Sequence, residues 1–524
     1  MSLSTILIML ILVPLAACLI MAVAPSKAVS QSFYESLHMV SVITVCCLSV
    51  YLVVQVFVSG VPVDAAGLWF RLDDLGAIFV TLIGVIGLLT GSYSLPYVRH
   101  DVERGAMGPS QVKQYYAFFS LFIFSMLMAT TTNNIIMMWA SVELTTLATV
   151  FLVGAYNTEF SLEAAWKYII VCTAGVAFGL YGTVLVYANA NAIVADPTQA
   201  VFWTSVLEVS KGFDPTLIQI AFVFAAIGFG TKAGLFPMHT WLPDAHSEAP
   251  SPVSALLSGV LLKCAMLVVI RFYILTGQAV GYAFPQLVML VLGVVSIVAG
   301  ALAVFSQNDL KRKLAYSSSE NIGVVALCLG FGGPIGIAAA LIHCIVHGFT
   351  KALLFCISGN VLMKYGTRDL RKISGLIKVA PTTAVLLALG LFALAGFPPF
   401  AMFTSEVMAF VSGVVSGHVA IVVIVGIALT IVVAAFAHVV ATAVFGDAPE
   451  GIEKGELSPA ALIPEIIMIA VVLWFGTAMP IPVIEGVENA TAIVLQSDTD
   501  ALHEMPIVSE LFAGTSQAVS AQVE

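Results

Sequence analysis

The chain reads as an all-α polytopic membrane protein, and three observations predict this. Of its 524 residues, 60% are hydrophobic and 10% are charged, against roughly 25% charged in a soluble globular domain. Its mean hydropathy is +1.04, so lipid is the solvent for most of its surface. Apolar runs of about 20 residues, long enough to cross a bilayer, recur along its length. Inside hydrocarbon every backbone N–H and C=O must be satisfied within the segment, which selects helices. The runs lack the apolar–polar alternation of a transmembrane barrel.

About fourteen spans are predicted, centred near Val13, Cys47, Ile83, Phe122, Leu144, Gly175, Ala226, Lys263, Val294, Asn321, Val346, Phe392, Val432 and Ile469. The first run, Leu3 to Val23, has no basic n-region before it and is long for a signal sequence, so it reads as a retained span. Pro and Gly interrupt the runs of the seventh and eighth and of the tenth to twelfth spans. The expected regions are 1–110 (helices 1–3), 111–280 (helices 4–8), 281–446 (helices 9–13), 447–480 (helix 14) and a polar, acidic tail at 481–524. The tail is expected as a short surface helix or a partly disordered stretch.

Basic residues give an expected orientation. Loops after odd-numbered spans carry Lys27, Arg99, Arg104, Lys113, Lys311, Arg312, Lys313, Lys364, Arg368, Arg371, Lys372, Lys378 and Lys454; loops after even-numbered spans carry only Arg71, Lys211 and Arg271. By the positive-inside rule the odd loops are cytoplasmic, and both termini face outward. The net charge of −10 argues against nucleic acid as a partner.

Four lysines fall inside predicted spans: Lys167, Lys232, Lys263 and Lys351. A charge at mid-membrane costs roughly 2.5–3.5 kcal/mol on insertion scales, so a mere scaffold would place leucine there. Glu143, Glu320, His343, His347 and Glu406 join them. Glu143 lies in IIMMWASVELTT on the fifth helix and Lys167 in AAWKYIIVCTAG on the sixth. Lys232 lies in GFGTKAGLFPMHTWLPDAH, one turn before the helix-breaking Pro237. Broken helices at mid-membrane are where transporters build ion sites, and Glu143 and Lys232 are expected to pair. Lys263 lies on the eighth helix. His343, His347 and Lys351 recur every fourth residue, on one helix face over roughly 12 Å, and histidine titrates near neutrality. Pro398 and Pro399 break the twelfth helix, with Glu406 in its second half.

A string of such groups predicts proton handling. A structural staple would explain a single Glu–Lys pair, and a snorkelling side chain would explain Lys167, but neither explains the whole string. AGLFP (233–237) and AGFPP (395–399), with WASVE (139–143) and YSSSE (316–320), hint at an internal repeat, each of the last two starting a helix with a buried glutamate. His239, Asp244, His246 and Glu248 match no metal-site spacing and read as loop structure and proton access. The eight cysteines form no CxxC and lie in apolar runs, so helix packing is their expected role. No phosphate loop or dinucleotide fingerprint appears.

These residues also carry a family resemblance, strongest from about Trp139 to Phe410. The chain resembles the antiporter-like subunits shared by respiratory complex I, Mrp-type sodium/proton antiporters and membrane-bound hydrogenases. TWLPDAH…P, Thr240 to Pro250, is characteristic of them. The resemblance implies fourteen core helices with two inverted five-helix repeats containing broken helices. It implies Glu143 and Lys232 as the proton-handling pair, Lys263 as the central lysine, His343, His347 and Lys351 as the relay, and Glu406 as the terminal residue. YSSSENIG, CISGNVLMKYGTRDL and GFPPFAMFTSE are most similar to the hydrogenase-4 branch, which serves membrane-bound hydrogenases and formate hydrogenlyase. Glu320 points the same way, since complex I subunits are expected to be neutral there. No long lateral helix is visible after Pro480.

The resemblance implies a proton-translocating subunit in a bacterial cytoplasmic membrane, with no redox centre or cofactor of its own. Its partners would be other membrane subunits and a hydrophilic arm carrying Fe–S clusters and Ni–Fe. Alternatives are a complex I-like NADH:quinone oxidoreductase subunit, an Mrp-like antiporter subunit moving sodium, a component of an inorganic carbon uptake system, or an anchor that has lost transport.

Overall fold

The computed structural model describes residues 2–26 and 29–497; Lys27 and the tail beyond residue 497 lie outside them. Helices α1 (Leu3–Val23), α2 (Gln31–Ser59), α3 (Asp74–Glu103), α4 (Pro109–Thr131), α5 (Ile135–Val153) and α6 (Glu159–Asn191) are followed by α7 (Pro215–Glu248) and α8 (Ser251–Val280). Then come α9 (Ala283–Ser306), α10 (Leu310–Phe331), α11 (Gly333–Tyr365), α12 (Pro381–Leu394 and Ala401–Val415), α13 (Val419–Val444) and α14 (Pro459–Thr477). Thirteen are long and apolar enough to cross a membrane; α12, whose halves are each shorter, is the remaining predicted crossing. A two-stranded antiparallel hairpin, β1 (Val63–Ala65) with β2 (Phe70–Leu72), joins α2 to α3.

The most polar span lies inside and the most apolar ones outside, the reverse of a soluble protein. The least apolar span, α10, carries Ser317, Ser318, Ser319, Glu320 and Asn321, and its most apolar stretch is 94% buried within the chain; the corresponding stretches of α8 and α11 are wholly buried. The most apolar spans, α1 and α13, lie at the periphery at 44% and 28%. Hydrocarbon solvates leucine and valine but not serine or glutamate, so polar spans must be sheathed by other helices. α9 packs along α10, and α6 along α7.

The two helix breaks are made by glycine, with proline beyond. In α7 the helix stops at Gly234, which takes a left-handed φ of 86°; Pro237 lies in the turn that follows. In α12 the equivalent residue is Gly396, φ 68°, ahead of Pro398 and Pro399. Side chains with a Cβ rarely adopt this conformation. At α7 the freed polar groups find partners on α9, α10 and the second half of α7 itself. Ser319 donates to the Gly234 carbonyl (2.6 Å), Ser296 accepts from the Phe236 amide (3.0 Å), and the Trp241 indole donates to the Thr231 carbonyl (2.9 Å). A third distortion was not anticipated: α8 passes through a π-helical turn at Leu257–Leu261, directly before Lys263.

One expectation about the periphery needs correction. Arg271 is not in a loop. It lies inside α8, buried, with its guanidinium forked onto Asp73 at 2.6 and 2.7 Å and stacked 4.4 Å from the Trp203 ring. Asp73 is the N-cap of α3 and accepts from the Gly76 amide at 2.8 Å. The start of the tail is a short helix, α15 (Ile481–Leu495), which leaves Ile481, Pro482 and Glu485 exposed, buries Ile484, Val487, Ala490 and Val494, and packs on α2, α3 and α11.

Candidate functional site

The first cluster centres on Lys232 near the end of the first half of α7, fully buried. Its ammonium donates to the Tyr168 hydroxyl at 2.5 Å and to Thr146 Oγ1 at 3.0 Å, and sits 4.5 Å from the Tyr168 ring centroid. Tyr168 in turn shares a hydrogen with Thr149 at 2.5 Å. Glu143 does not touch Lys232. It accepts from Thr173 at 2.9 Å and from Thr146 at 3.4 Å, so the Thr146 hydroxyl stands between the two charges. The direct ion pair expected from sequence is therefore a bridged one. Thr146 lies one turn beyond Glu143 on α5, and both reach the α5–α6–α7 seam. Glu143 is only half-buried.

The second cluster is Lys263. It is fully buried, and its Nζ donates to the Ser258 carbonyl at 2.5 Å. Ser258 lies in the π turn, five residues earlier, so the distortion of α8 presents the acceptor that Lys263 uses. π-bulges recur at functional sites. The Ser258 hydroxyl pairs with Ser318 of α10 at 2.7 Å. Close approach of α8 and α11 is possible because Gly259 and Gly348 face each other: a Cβ on Gly348 would lie 2.9 Å from the Gly259 carbonyl oxygen.

The third cluster lies between α10, α11 and α12. His343 and His347 are fully buried and stack with ring centroids 5.8 Å apart. His343 Nε2 meets Asn321 Oδ1 at 3.1 Å and Nδ1 meets Ser405 Oγ at 3.0 Å. Asn321 donates to Glu320 at 2.5 Å. Lys351 donates to the Leu314 carbonyl at 2.8 Å and to the Ser317 hydroxyl. Among the described residues neither ring nitrogen of His347 has a partner, and the same holds for His246. Glu406 is half-buried and packs against Gly396 at the α12 break.

Lys167 departs from expectation. Its side chain is 51% exposed and bridges Glu163 at 2.6 Å and Asp244 at 3.2 Å, with Arg312 on the same carboxylate at 2.8 Å. It belongs to a surface charge cluster. Asp244 and Glu248 are thereby accounted for as ion-pair partners, Glu248 with Arg368 at 2.8 Å. Glu143 and Glu320 lie near the middle of their helices, not at the start.

Sequence reading missed the neutral members, Tyr168, Thr146, Ser317 and Ser405, because hydroxyls in apolar runs are common. It also passed over Glu465 on α14, fully buried, whose carboxylate accepts from Asn360 at 2.8 and 2.9 Å. An acid within an apolar run was its available signal.

Residues 132–432 match the family described as NADH:quinone oxidoreductase/Mrp antiporter, TM. The chain is 38% identical over 343 residues to the hydrogenase-4 component F homolog of Methylacidiphilum infernorum, covering 66% of this chain and 72% of that one. It is 30% identical over 357 residues to hydrogenase-4 component B of Escherichia coli, covering 66% of this chain and 51% of the relative. Its fold matches a chain of an archaeal respiratory membrane complex, the membrane-bound sulfane sulfur reductase, with TM-score 0.85 at 22% identity over 95% of this chain and 99% of that one. The chain thus belongs to the NADH:quinone oxidoreductase/Mrp antiporter transmembrane family, and is a multi-pass, antiporter-like membrane subunit within it.

Proposed function

We propose that the chain carries protons across the bilayer as one subunit of a multi-subunit, hydrogenase-4-like energy-converting complex. One observation carries the reading. Lys232, Lys263 and Lys351 are fully buried, and among the described residues each is held by hydroxyls or carbonyls and by no carboxylate. A counter-ion would fix the proton on each lysine. Neutral partners leave it free to be released and regained, at the cost of desolvating the ammonium.

In this reading protons enter from the odd-loop side, which faces the cytoplasm of a bacterial inner membrane, with both termini outward. They reach Lys263 and the His347–His343 stack, with Lys351 and Glu320 setting the local charge, and leave near Glu406. Glu143, half-buried on α5, answers to a neighbouring subunit; a change in its charge reaches Lys232 through Thr146. Residues 111–280 and 281–446 act as two halves of one device, each with its own broken helix. Electron transfer belongs to partner subunits of a hydrophilic arm carrying Fe–S clusters and Ni–Fe. The names of the relatives support this hydrogenase-type setting. The family's Mrp members favour a second reading, sodium/proton exchange.

The test is transport in proteoliposomes containing the complex purified intact from its native membrane. Lys232→Ala or Glu143→Ala should abolish coupled proton transport while the complex still assembles, and normal transport in either variant refutes the mechanism. Mass spectrometry of the same preparation should find hydrogenase large and small subunits. Small antiporter subunits, with sodium-dependent transport, would establish the second reading.

A further inference from the structure

The odd-loop end of the fold holds a pocket of about 560 Å³, walled by the end of α9, the start of α10, the end of α13 and the loop between α11 and α12. It shares no lining residue with the three clusters above. Among the described residues Lys313, Arg371 and His438 line it and no acidic residue does. Its α13 wall is distorted. The helix turns π-helical over Val440–Val444, and Thr442 of that turn lines the pocket.

Lys313 is the unusual member. A lysine near the end of a membrane helix ordinarily snorkels to water, yet Lys313 is 4% exposed. Its ammonium donates to the Val304 carbonyl, in the last turn of α9, at 2.7 Å. Capping that free carbonyl occupies one of its three N–H bonds. Among the described residues no carboxylate pairs with it. Arg371 is exposed and forks onto Asp369 at 2.8 and 2.9 Å, so its charge is already shared. Lys232, Lys263 and Lys351 are enclosed by their hydroxyl and carbonyl partners, whereas Lys313 lines an open pocket. An ammonium withdrawn from water without a counter-ion is costly, and an anion entering the pocket offsets that cost.

The side towards lipid is apolar. Phe305 lines the pocket and is 65% exposed. Leu302, Val295, Val291 and Leu287 are exposed on the same helix, and their spacing continues one face of α9 from Phe305. That strip runs about 27 Å at 1.5 Å per residue, close to the depth of the hydrocarbon. An acyl chain can lie along it; a free anion has no use for it.

We infer that the pocket binds the head group of an anionic phospholipid from the leaflet on the odd-loop side, with the phosphate against Lys313 and an acyl chain along α9. His438 and Arg371 stand at the rim and add positive charge there. Basic pockets between membrane helices capture phosphate head groups in this way. The binding is non-covalent and independent of which ion the chain carries.

The test is photolabelling of the intact complex in vesicles of phosphatidylethanolamine and phosphatidylglycerol, with a trace of phosphatidylglycerol bearing a photoreactive acyl chain. Peptide mass spectrometry should find the label on α9 between Leu287 and Phe305. Lys313→Gln should lower that labelling by about fivefold or more. His438→Glu should do the same by placing a negative charge at an exposed rim position, and it leaves the buried Lys313–Val304 contact in place. Assembly of both variants is checked by gel filtration. Native labelling in assembled complexes of either variant overturns the site. Equal labelling by phosphatidylethanolamine bearing the same photoreactive chain overturns the anionic preference. Loss of the label on adding inorganic phosphate makes the occupant a free anion, and absence of label from α9 in the intact complex means that a partner subunit covers this face; either result overturns the lipid.

Discussion

Removing one oxygen atom tests whether Lys232 is held as the geometry implies. In Tyr168→Phe the ring survives, and with it the cation–π contact to Lys232 at 4.5 Å and the packing on Trp241 at 4.9 Å. The 2.5 Å hydrogen bond to the ammonium is lost, along with its support from Thr149. A hydrogen bond to a charged group contributes about 1.5–3 kcal/mol, and Thr146 remains as the second acceptor at 3.0 Å. The ammonium should therefore lose about 1.5–3 kcal/mol of stabilisation. That corresponds to about a tenfold to hundredfold smaller equilibrium constant for placing a proton on Lys232, and transport slows by that factor where this uptake limits the rate. Proton uptake by proteoliposomes, followed with a fluorescent pH probe, measures it directly. Assembly, checked by gel filtration, should be native. Transport within twofold of the native rate in an assembled Tyr168→Phe complex would refute the idea that Lys232 stores the proton with Tyr168 as its partner.

Two further outcomes follow from the same structure. Asn321→Leu disconnects His343 from Glu320 by removing both the 3.1 Å and 2.5 Å contacts; it should slow transport at least tenfold in the same liposome assay, with destabilisation of about 1–3 kcal/mol for the buried groups left unpaired. Asp73→Asn strands the buried Arg271 charge and should cost about 3–5 kcal/mol, read as a lower thermal midpoint in detergent. That pair also sets a pH dependence. Burial alone would raise the Asp73 carboxyl, but the Arg271 guanidinium, through its charge and its hydrogen bonds, overrides burial and holds it below the usual carboxylate range. Its contribution is present above the ordinary value of about 4 and is lost as pH falls through the lower native value. The native thermal midpoint should therefore drop with acid through that window, and the Asp73→Asn midpoint should drop less.

The fold was legible where physics acts on one segment at a time. A run such as Leu3–Val23 can only be a helix in lipid, and its length needs no knowledge of neighbours. What failed was depth and partnership. Arg271 follows MLVVI in a run that continues with FYILTG, and a loop assignment kept the charge out of the membrane. The chain instead brings Asp73 to it from 198 residues away, a contact that no local pattern carries. Lys167 erred the other way: an apolar flank suggested burial, but Glu163 lies one turn earlier on the same helix and Asp244 and Arg312 share its surface.

The candidate site was legible in its charges and not in its wiring. Lys232, Lys263, His343, His347 and Lys351 stand out because hydrocarbon penalises them, so their mere presence is a signal. Threonine, serine and tyrosine carry no such penalty. A hydroxyl within a helix can satisfy itself on its own backbone, as Thr149 does on the Thr145 carbonyl at 2.6 Å. Thr146 is thus indistinguishable in sequence from a packing residue, yet it stands between Glu143 and Lys232. The same logic explains why the two helix breaks are alike. Each needs a residue that can leave the helix with positive φ, which glycine supplies at 234 and 396. Each break also has an ionisable group nearby, Lys232 two residues before Gly234 and Glu406 packed against Gly396.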